Sequence, residues 1–213
     1  PLGEDLGGAS DFFILYKPKD IVSGDFYWFS EVEGKIIVVA ADCTGHGVPG
    51  AFMSMIGNDL LNDIVNVRKI TRADLILNEL HLGVRHALKQ DISANRDGMD
   101  IALVSLKFQA QNSKFQEQQT TNNEQRTILQ YAGAKNPLVY VQNNEIFSVQ
   151  ADRFAIGGFQ KEHEGGRLFK LNEFAISSPT VFYLFTDGIQ DQFGGAKGKK
   201  FMQRQFRNLL LTI

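Results

Sequence analysis

Residues 35–54 read KIIVVAADCTGHGVPGAFMS, and the change of pattern inside them decides the fold class. The first seven, KIIVVAA, form a continuous run rich in β-branched residues, as expected of a buried central strand. The run stops at Asp42. A glycine-bearing stretch, DCTGHGVPG, follows. From Val48 the apolar positions include Phe52, Met55, Ile56, Leu60, Ile64 and Val67, which is helical spacing over about 48–67.

Upstream, residues 12–16 (FFILY) are a short apolar run read as β. Residues 20–25 (DIVSGD) are a bend, and 26–31 (FYWFSE) are strand-like, with Glu33-Gly34 as a hairpin turn. Downstream, Thr71 and Asp74 make a near-capping-box start for a second helix that ends near Gln90. Residues 99–108 alternate like a strand. The Gln/Asn-rich stretch 109–126 reads as a long exposed hairpin loop. Strands are expected at 127–132, 138–141 and 180–186, with a turn at Asn143-Asn144. Residues 193–200 read as flexible and 201–213 as helix-like. Residues 1–9 are Gly-rich and polar, so 1–10 is expected to be a flexible lead-in or expression remnant, with one domain over 11–213. No internal repeat is seen.

The 213 residues carry 22 Lys+Arg against 24 Asp+Glu, and this near-balance argues against broad electrostatic binding to nucleic acid or an anionic membrane. A single cysteine, Cys43, excludes an internal disulfide and a Cys-based zinc site, and suits a reducing compartment. No apolar run approaches the ~18 residues of a membrane span. A cytoplasmic protein is expected.

Two acids end buried-looking runs: Asp42 after KIIVVAA and Asp187 after TVFYLFT. A third, Asp25, precedes a strand inside SGD. If the strands bring them together, their repulsion must be relieved by a cation or by raised pKa values. Hard oxygen donors without a Cys or His cluster point to Mg²⁺ or Mn²⁺ rather than Zn²⁺. Each Asp could equally be a turn residue or helix cap. The stretch Gly45-His46-Gly47-Val48-Pro49-Gly50 is also a literal GxGxxG after a strand and before a helix, so a dinucleotide site stays open, although a second helix replaces the expected parallel strand. No Cys-x₅-Arg loop, GxSxG elbow or Walker A is present. His81 and His86, five apart, do not share a helical face.

Four blocks together resemble a known family. SGDFYW (23–28), ADCTGHGVPGAFMS (41–54), YAGAKNPLVY (131–140) and LFTDGIQD (184–191) resemble the SpoIIE-like branch of the PPM family, bacterial metal-dependent protein serine/threonine phosphatases of the protein phosphatase 2C fold. The resemblance covers about residues 11–213. It implies an α/β (α+β) domain in which two mainly antiparallel β-sheets form a sandwich flanked by helices. It implies two ions, Mn²⁺ or Mg²⁺, held by Asp25, by Asp42 as the bridge, by the backbone carbonyl of Cys43, and by Asp187. Those three acids are the implied catalytic residues, acting through a water activated by the metals, with Gly45, Gly47, Asp100 and Gly188 in loops or supporting positions. Family members close with a strand carrying an Asp-Asp pair. The chain ends at Ile213 before such a strand, so a domain lacking its C-terminal strand is expected. His46 lies four residues after Asp42, not two, and receives no acid role. The first strand offers no Arg for phosphate, leaving Lys17 and Lys19 as candidates. The implied substrate is a phosphoprotein such as a STAS-type anti-sigma-factor antagonist, with an upstream sensor or scaffold region, a possible homodimer, and control through the two helices. The alternative within the same family is a pseudophosphatase acting as a regulated binding module.

Overall fold

Glu33 and Gly34 take φ values of +53° and +69°. Two successive left-handed residues make the two-residue turn whose twist suits a hairpin. They pair β1 (Phe26–Val32) with β2 (Lys35–Cys43) antiparallel, from Phe26 opposite Ala41 to Val32 opposite Lys35. The structure is a computed structural model and describes residues 11–18, 21–108, 127–158, 168–195 and 198–212. The expected lead-in 1–10, Lys19 and the loop 109–126 lie outside the described residues.

After β2 come α1 (Gly47–Leu61), a π-helical turn (Asn62–Val67) and α2 (Ala73–Ala87). The strands β3 (Gly98–Phe108), β4 (Thr127–Ala134), β5 (Leu138–Gln142), β6 (Glu145–Val149), β7 (Ile156–Gly157), β8 (Asn172–Ile176) and β9 (Thr180–Tyr183) follow. Last are a short hairpin of β10 (Phe193–Gly194) with β11 (Lys199–Lys200), where the sequence suggested only flexibility, and α3 (Met202–Leu210). Among the described residues, one sheet runs β1-β2-β3-β4-β8, with β7 also on β3, and the other runs β6-β5-β9. Every pairing between named strands is antiparallel.

The period of two along each strand sorts side chains between layers. On β2 and β3, Ile37, Val39, Met99, Ile101 and Leu103 pack with Leu61, Ile76, Leu77 and Leu80 of the helical layer. The alternate residues Ala102 and Val104 meet Leu129, Tyr131 and Leu138, with Phe174 and Phe182 at the margin, between the two sheets. On the far side of the small sheet, Val139 packs with Phe206 and Leu210 of α3. The order of layers is helices, large sheet, small sheet, helix. This is the sandwich that the motifs implied. The glycine-rich loop therefore joins antiparallel strands and is not part of the parallel βαβ unit that a dinucleotide fingerprint requires.

Four local expectations change. Residues 12–16 form no strand; Phe13 is 70% exposed, and Tyr16 ties the segment down by donating from Oη to the Asp25 carbonyl at 3.0 Å. An unbroken apolar run has no period that separates strand from coil. The first helix ends in a π turn facing β1, where Asn62 Oδ1 accepts from Trp28 Nε1 (3.2 Å) and Asn66 Nδ2 (3.0 Å), and Ser30 Oγ donates to Asn66 Oδ1 (2.6 Å). The capping box at Thr71 does not form. Arg72 is the N-cap and grips Asp74 with two hydrogen bonds of 2.7 and 2.8 Å, while the Thr71 hydroxyl accepts from Lys35 Nζ. The strand expected at 180–186 stops at Tyr183 and is only partly buried, because β9 is an edge strand of the small sheet. No helix among the described residues is long and apolar enough to cross a membrane.

Candidate functional site

Strand β2 carries Asp42 out of the sheet beside β3, where Asp100 is its cross-strand partner. The loop after Asp42 is pinned at once. Thr44 N and Oγ1 both donate to the Gly98 carbonyl (2.9 and 3.0 Å), and Gly98 N donates back to Thr44 Oγ1 (2.7 Å). Gly45 and Gly47 then take φ of +88° and +62°, a conformation that suits glycine, and α1 begins. On the other side the SGD bend folds over this loop. Ser54 on α1 donates to the Ser23 carbonyl (3.2 Å), and Ser23 Oγ accepts from the Asp25 amide (3.0 Å). A β-carbon at Gly24 would stand 3.1 Å from the Cys43 carbonyl oxygen, so that carbonyl lies against the turn that bears Asp25.

The carboxyls of Asp25 and Asp42 lie beside one another. Burial is the first cause that pushes the Asp42 carboxyl up to about 7; the charges of Asp25, Asp187 and Asp100 add to it. Asp187 arrives from the chain after β9. Its carboxyl is also held above the ordinary range, by partial burial and then by Asp191, Asp25 and Asp100, with Lys200 pulling it back. Thr186 Oγ1 donates to Asp25 Oδ2 at 2.7 Å, and Gly188 lies beside the same oxygen. Thr186, next to Asp187 in the fourth block, thus holds the acid of the first.

Asp25, Asp42 and Asp187 accordingly meet at one end of the large sheet, with Asp100 at the margin, where its Oδ1 lies 3.1 Å from Lys135 Nζ. Cys43 buries its side chain in the core, and burial with the neighbouring Asp42 and Asp25 pushes the thiol up to about 12. Lys17 is exposed, and no ion pair among the described residues links it to these acids. His46 is the N-cap of α1 and makes no side-chain capping bond. His81 is a buried core histidine whose Nδ1 accepts from the Gly157 amide at 3.0 Å.

Among the described residues, no three His, Cys, Asp or Glu side chains lie close enough together as they stand to hold a metal ion. The donor set nevertheless suits a hard divalent cation. The mutual repulsion of a close carboxyl pair, beside two further acids, is relieved by a cation between them. The oxygens that would hold it are those of Asp25, Asp42, the Cys43 carbonyl and Asp187, with water completing the shell.

Thr186 and Lys135 were not singled out from sequence. Each stood inside a quoted block, and only the folded strands show what their side chains reach. Replacing Thr186 with valine keeps its shape and deletes the bond to Asp25. Mn²⁺ affinity is expected to fall about tenfold to a hundredfold, the usual loss when a ligand's supporting partner is removed. The melting temperature should stay within a few degrees. An unchanged Mn²⁺ titration would show that Asp25 does not depend on Thr186.

Residues 32–212 match the family model for stage II sporulation protein E (SpoIIE). The SiaA-PP2C domain of Pseudomonas aeruginosa is 31% identical with a TM-score of 0.71, over 93% of this chain and 70% of that one. The SpoIIE PP2C phosphatase domain with a fragment of its regulatory domain, from Bacillus subtilis, shares the fold at TM-score 0.61 and 15% identity, over 91% of this chain and 49% of that one. The RsbU and RsbW domains of a Mycobacterium tuberculosis protein do so at 0.60 and 16%, over 91% and 46%. This chain spans about half the length of the last two. No curated protein matches it by sequence.

Proposed function

The chain belongs to the SpoIIE family, and from that premise we propose that it is a metal-dependent phosphatase acting on phosphoserine and phosphothreonine in a signalling protein. The observation that carries this reading is the convergence of the Asp25, Asp42 and Asp187 carboxyls at one end of the large sheet, with Asp100 beside them. Two ions of Mn²⁺ or Mg²⁺ would supply Lewis-acid polarisation of the phosphoryl group and a water of lowered pKa.

The protein's own part is to hold and orient. Asp42, central in the cluster, would hold the ions together with Asp25, the Cys43 carbonyl and Asp187. Asp25 is aimed by Thr186 and Ser23, the Cys43 carbonyl by the loop pinned to Gly98, and Asp187 by the chain leaving β9. No side chain is asked to form a covalent bond. The buried Cys43 thiol, with its raised pKa, is no nucleophile at neutral pH. Water adds to phosphorus, the ester P–O bond breaks, and the Ser or Thr oxygen leaves, takes a proton and frees inorganic phosphate.

The substrate we infer is a phosphorylated STAS-type antagonist of an anti-sigma factor, within a cytoplasmic partner-switching system and downstream of a sensor or scaffold region. Family resemblance, rather than the geometry of the site, supports that finer part. The test is phosphate release from phosphoserine, phosphothreonine and phosphotyrosine peptides with Mn²⁺, with Mg²⁺ and with a chelator. Cation-dependent release from the first two peptides is expected. No release with either cation overturns the reading.

A further inference from the structure

A phosphate monoester carries up to two negative charges, and the site presents four carboxylates: Asp25, Asp42, Asp100 and Asp187. Two divalent cations would do no more than cancel them. A positive side chain beside the cluster would add a charge that draws in and orients the phosphoryl oxygens. Three lysines come into question among the described residues. Lys17 is exposed and has no ion pair to the cluster. Lys200 is already engaged, with Nζ 2.9 Å from Asp191 and 5.8 Å from the centre of the Phe193 ring. Lys135 alone of the three reaches a cluster carboxylate directly, at 3.1 Å from Asp100, the cross-strand partner of Asp42.

The turn that presents Lys135 is held from several sides. Lys135 N donates to the Asp152 carbonyl (2.7 Å), Asp152 N donates to the Gly133 carbonyl (2.9 Å), and Tyr131 Oη donates to the Asn136 carbonyl (2.7 Å). Gly133 leaves no room for a side chain, because a β-carbon there would run into Tyr131 Oη. Within this frame Lys135 has φ +58°, where Asn or Gly would be easier. Lys69 and Lys89 adopt the same conformation after helical segments, so a left-handed lysine alone says little. The braced turn and the ion pair into the cluster set Lys135 apart.

We propose that Lys135 is the phosphoryl-binding cation of this site, its ammonium leaving Asp100 for the phosphoryl oxygens of the substrate. The proposal rests on the phosphatase reading above. The Lys135 side chain is 47% exposed, so an incoming phosphate can reach it. An ion pair at that exposure is weak, and giving it up costs little. A charge-assisted bond to a phosphate oxygen is the stronger interaction.

The experiment compares Lys135→Asn, which suits a left-handed backbone, with Lys135→Arg, which keeps the charge, and with Lys89→Asn as a left-handed control. Kinetics are read with a phosphothreonine peptide at saturating Mn²⁺, together with inhibition by inorganic phosphate. Lys135→Asn is expected to raise KM and the phosphate inhibition constant about tenfold while kcat stays within about threefold, the pattern of lost binding. Lys135→Arg should restore most of the loss, and Lys89→Asn should change nothing. Unchanged KM and phosphate inhibition in Lys135→Asn overturn the proposal. So does a fall in kcat with weakened Mn²⁺ affinity alone, which would make Lys135 a support for Asp100. If the wild type hydrolyses no peptide, the phosphatase reading fails separately. Inorganic phosphate titrated into the Mn²⁺-loaded protein then still decides about Lys135. Tenfold weaker binding in Lys135→Asn supports its role, and equal binding, or none by wild type, overturns it.

Discussion

Asp42→Asn should abolish cation-dependent phosphatase activity and, in metal-free buffer at neutral pH, make the protein more stable. Both effects come from one carboxyl. It lies at the centre of the cluster, where burial and three other acids push it up to about 7. Loss of the central carboxylate of the proposed site is expected to reduce turnover at least about a thousandfold, or about 4 kcal/mol of transition-state stabilisation.

The stability effect has a defined sign. A carboxyl whose folded pKa is raised binds its proton more tightly in the folded state, so the folded state loses ground as the pH rises from the ordinary value of 3.8 through about 7. The full shift corresponds to about 4 kcal/mol, and partial solvent exposure reduces this to about 1–2 kcal/mol. With a chelator, urea denaturation of the wild type should show stability falling between pH 5 and pH 7.5. Asp42→Asn should flatten that fall and exceed the wild type at pH 7.5. Mn²⁺ should stabilise the wild type and leave the variant almost unmoved. Equal Mn²⁺-induced stabilisation of the two proteins would show that Asp42 is not a ligand.

What was legible from sequence was whatever repeats at short range. The β-branched run of β2, the turn pairs Glu33-Gly34 and Asn143-Asn144, and the helical spacing after Val48 each carry a local signal. The alternation in Asn172–Ile176 was present too, with Phe174 and Ile176 inward, but five residues make a faint pattern, and β8 is evident only from its pairing with β4. The residues at 12–16 misled because apolar content without period does not specify a strand. Asp25, Asp42 and Asp187 stand out in the sequence because they flank strand-like runs and lie inside the motif blocks. Thr186 and Lys135 do not, because their importance lies in what they touch: Asp25 lies 161 positions from Thr186, and Asp100 is reached from Lys135 only after β3 and β4 have paired. Side-chain partnership at that separation is set by tertiary packing, which no local pattern encodes.

Gly50→Ala opposes two effects within one residue. Gly50 sits in the first turn of α1, where alanine is worth about 0.5–1 kcal/mol more than glycine by helix propensity. Its added β-carbon, however, would stand 2.7 Å from the Gly45 carbonyl oxygen, 3.0 Å from Gly24 Cα and 3.1 Å from Gly24 N. All three atoms are backbone and cannot step aside by a rotamer change. One belongs to the loop after Asp42 and two to the turn before Asp25, so the methyl group would wedge apart the segments that carry the carboxyl pair. The clash should win, with a net loss of about 1–3 kcal/mol, as in other overpacked sites. Turnover and Mn²⁺ affinity should fall at least about tenfold, since displacements near 1 Å in a positioned site cost that much or more. Gly57→Ala, in the same helix, is the control. Its β-carbon would meet Phe26 Cζ at 2.9 Å and Met99 Cε at 3.0 Å, both at the tips of side chains, and neither belongs to the loops of the acids. That variant should keep wild-type Mn²⁺ affinity and lose little stability. If the two alanine variants lose activity equally, the Gly24–Gly45–Gly50 contact is not what sets the distance between Asp25 and Asp42.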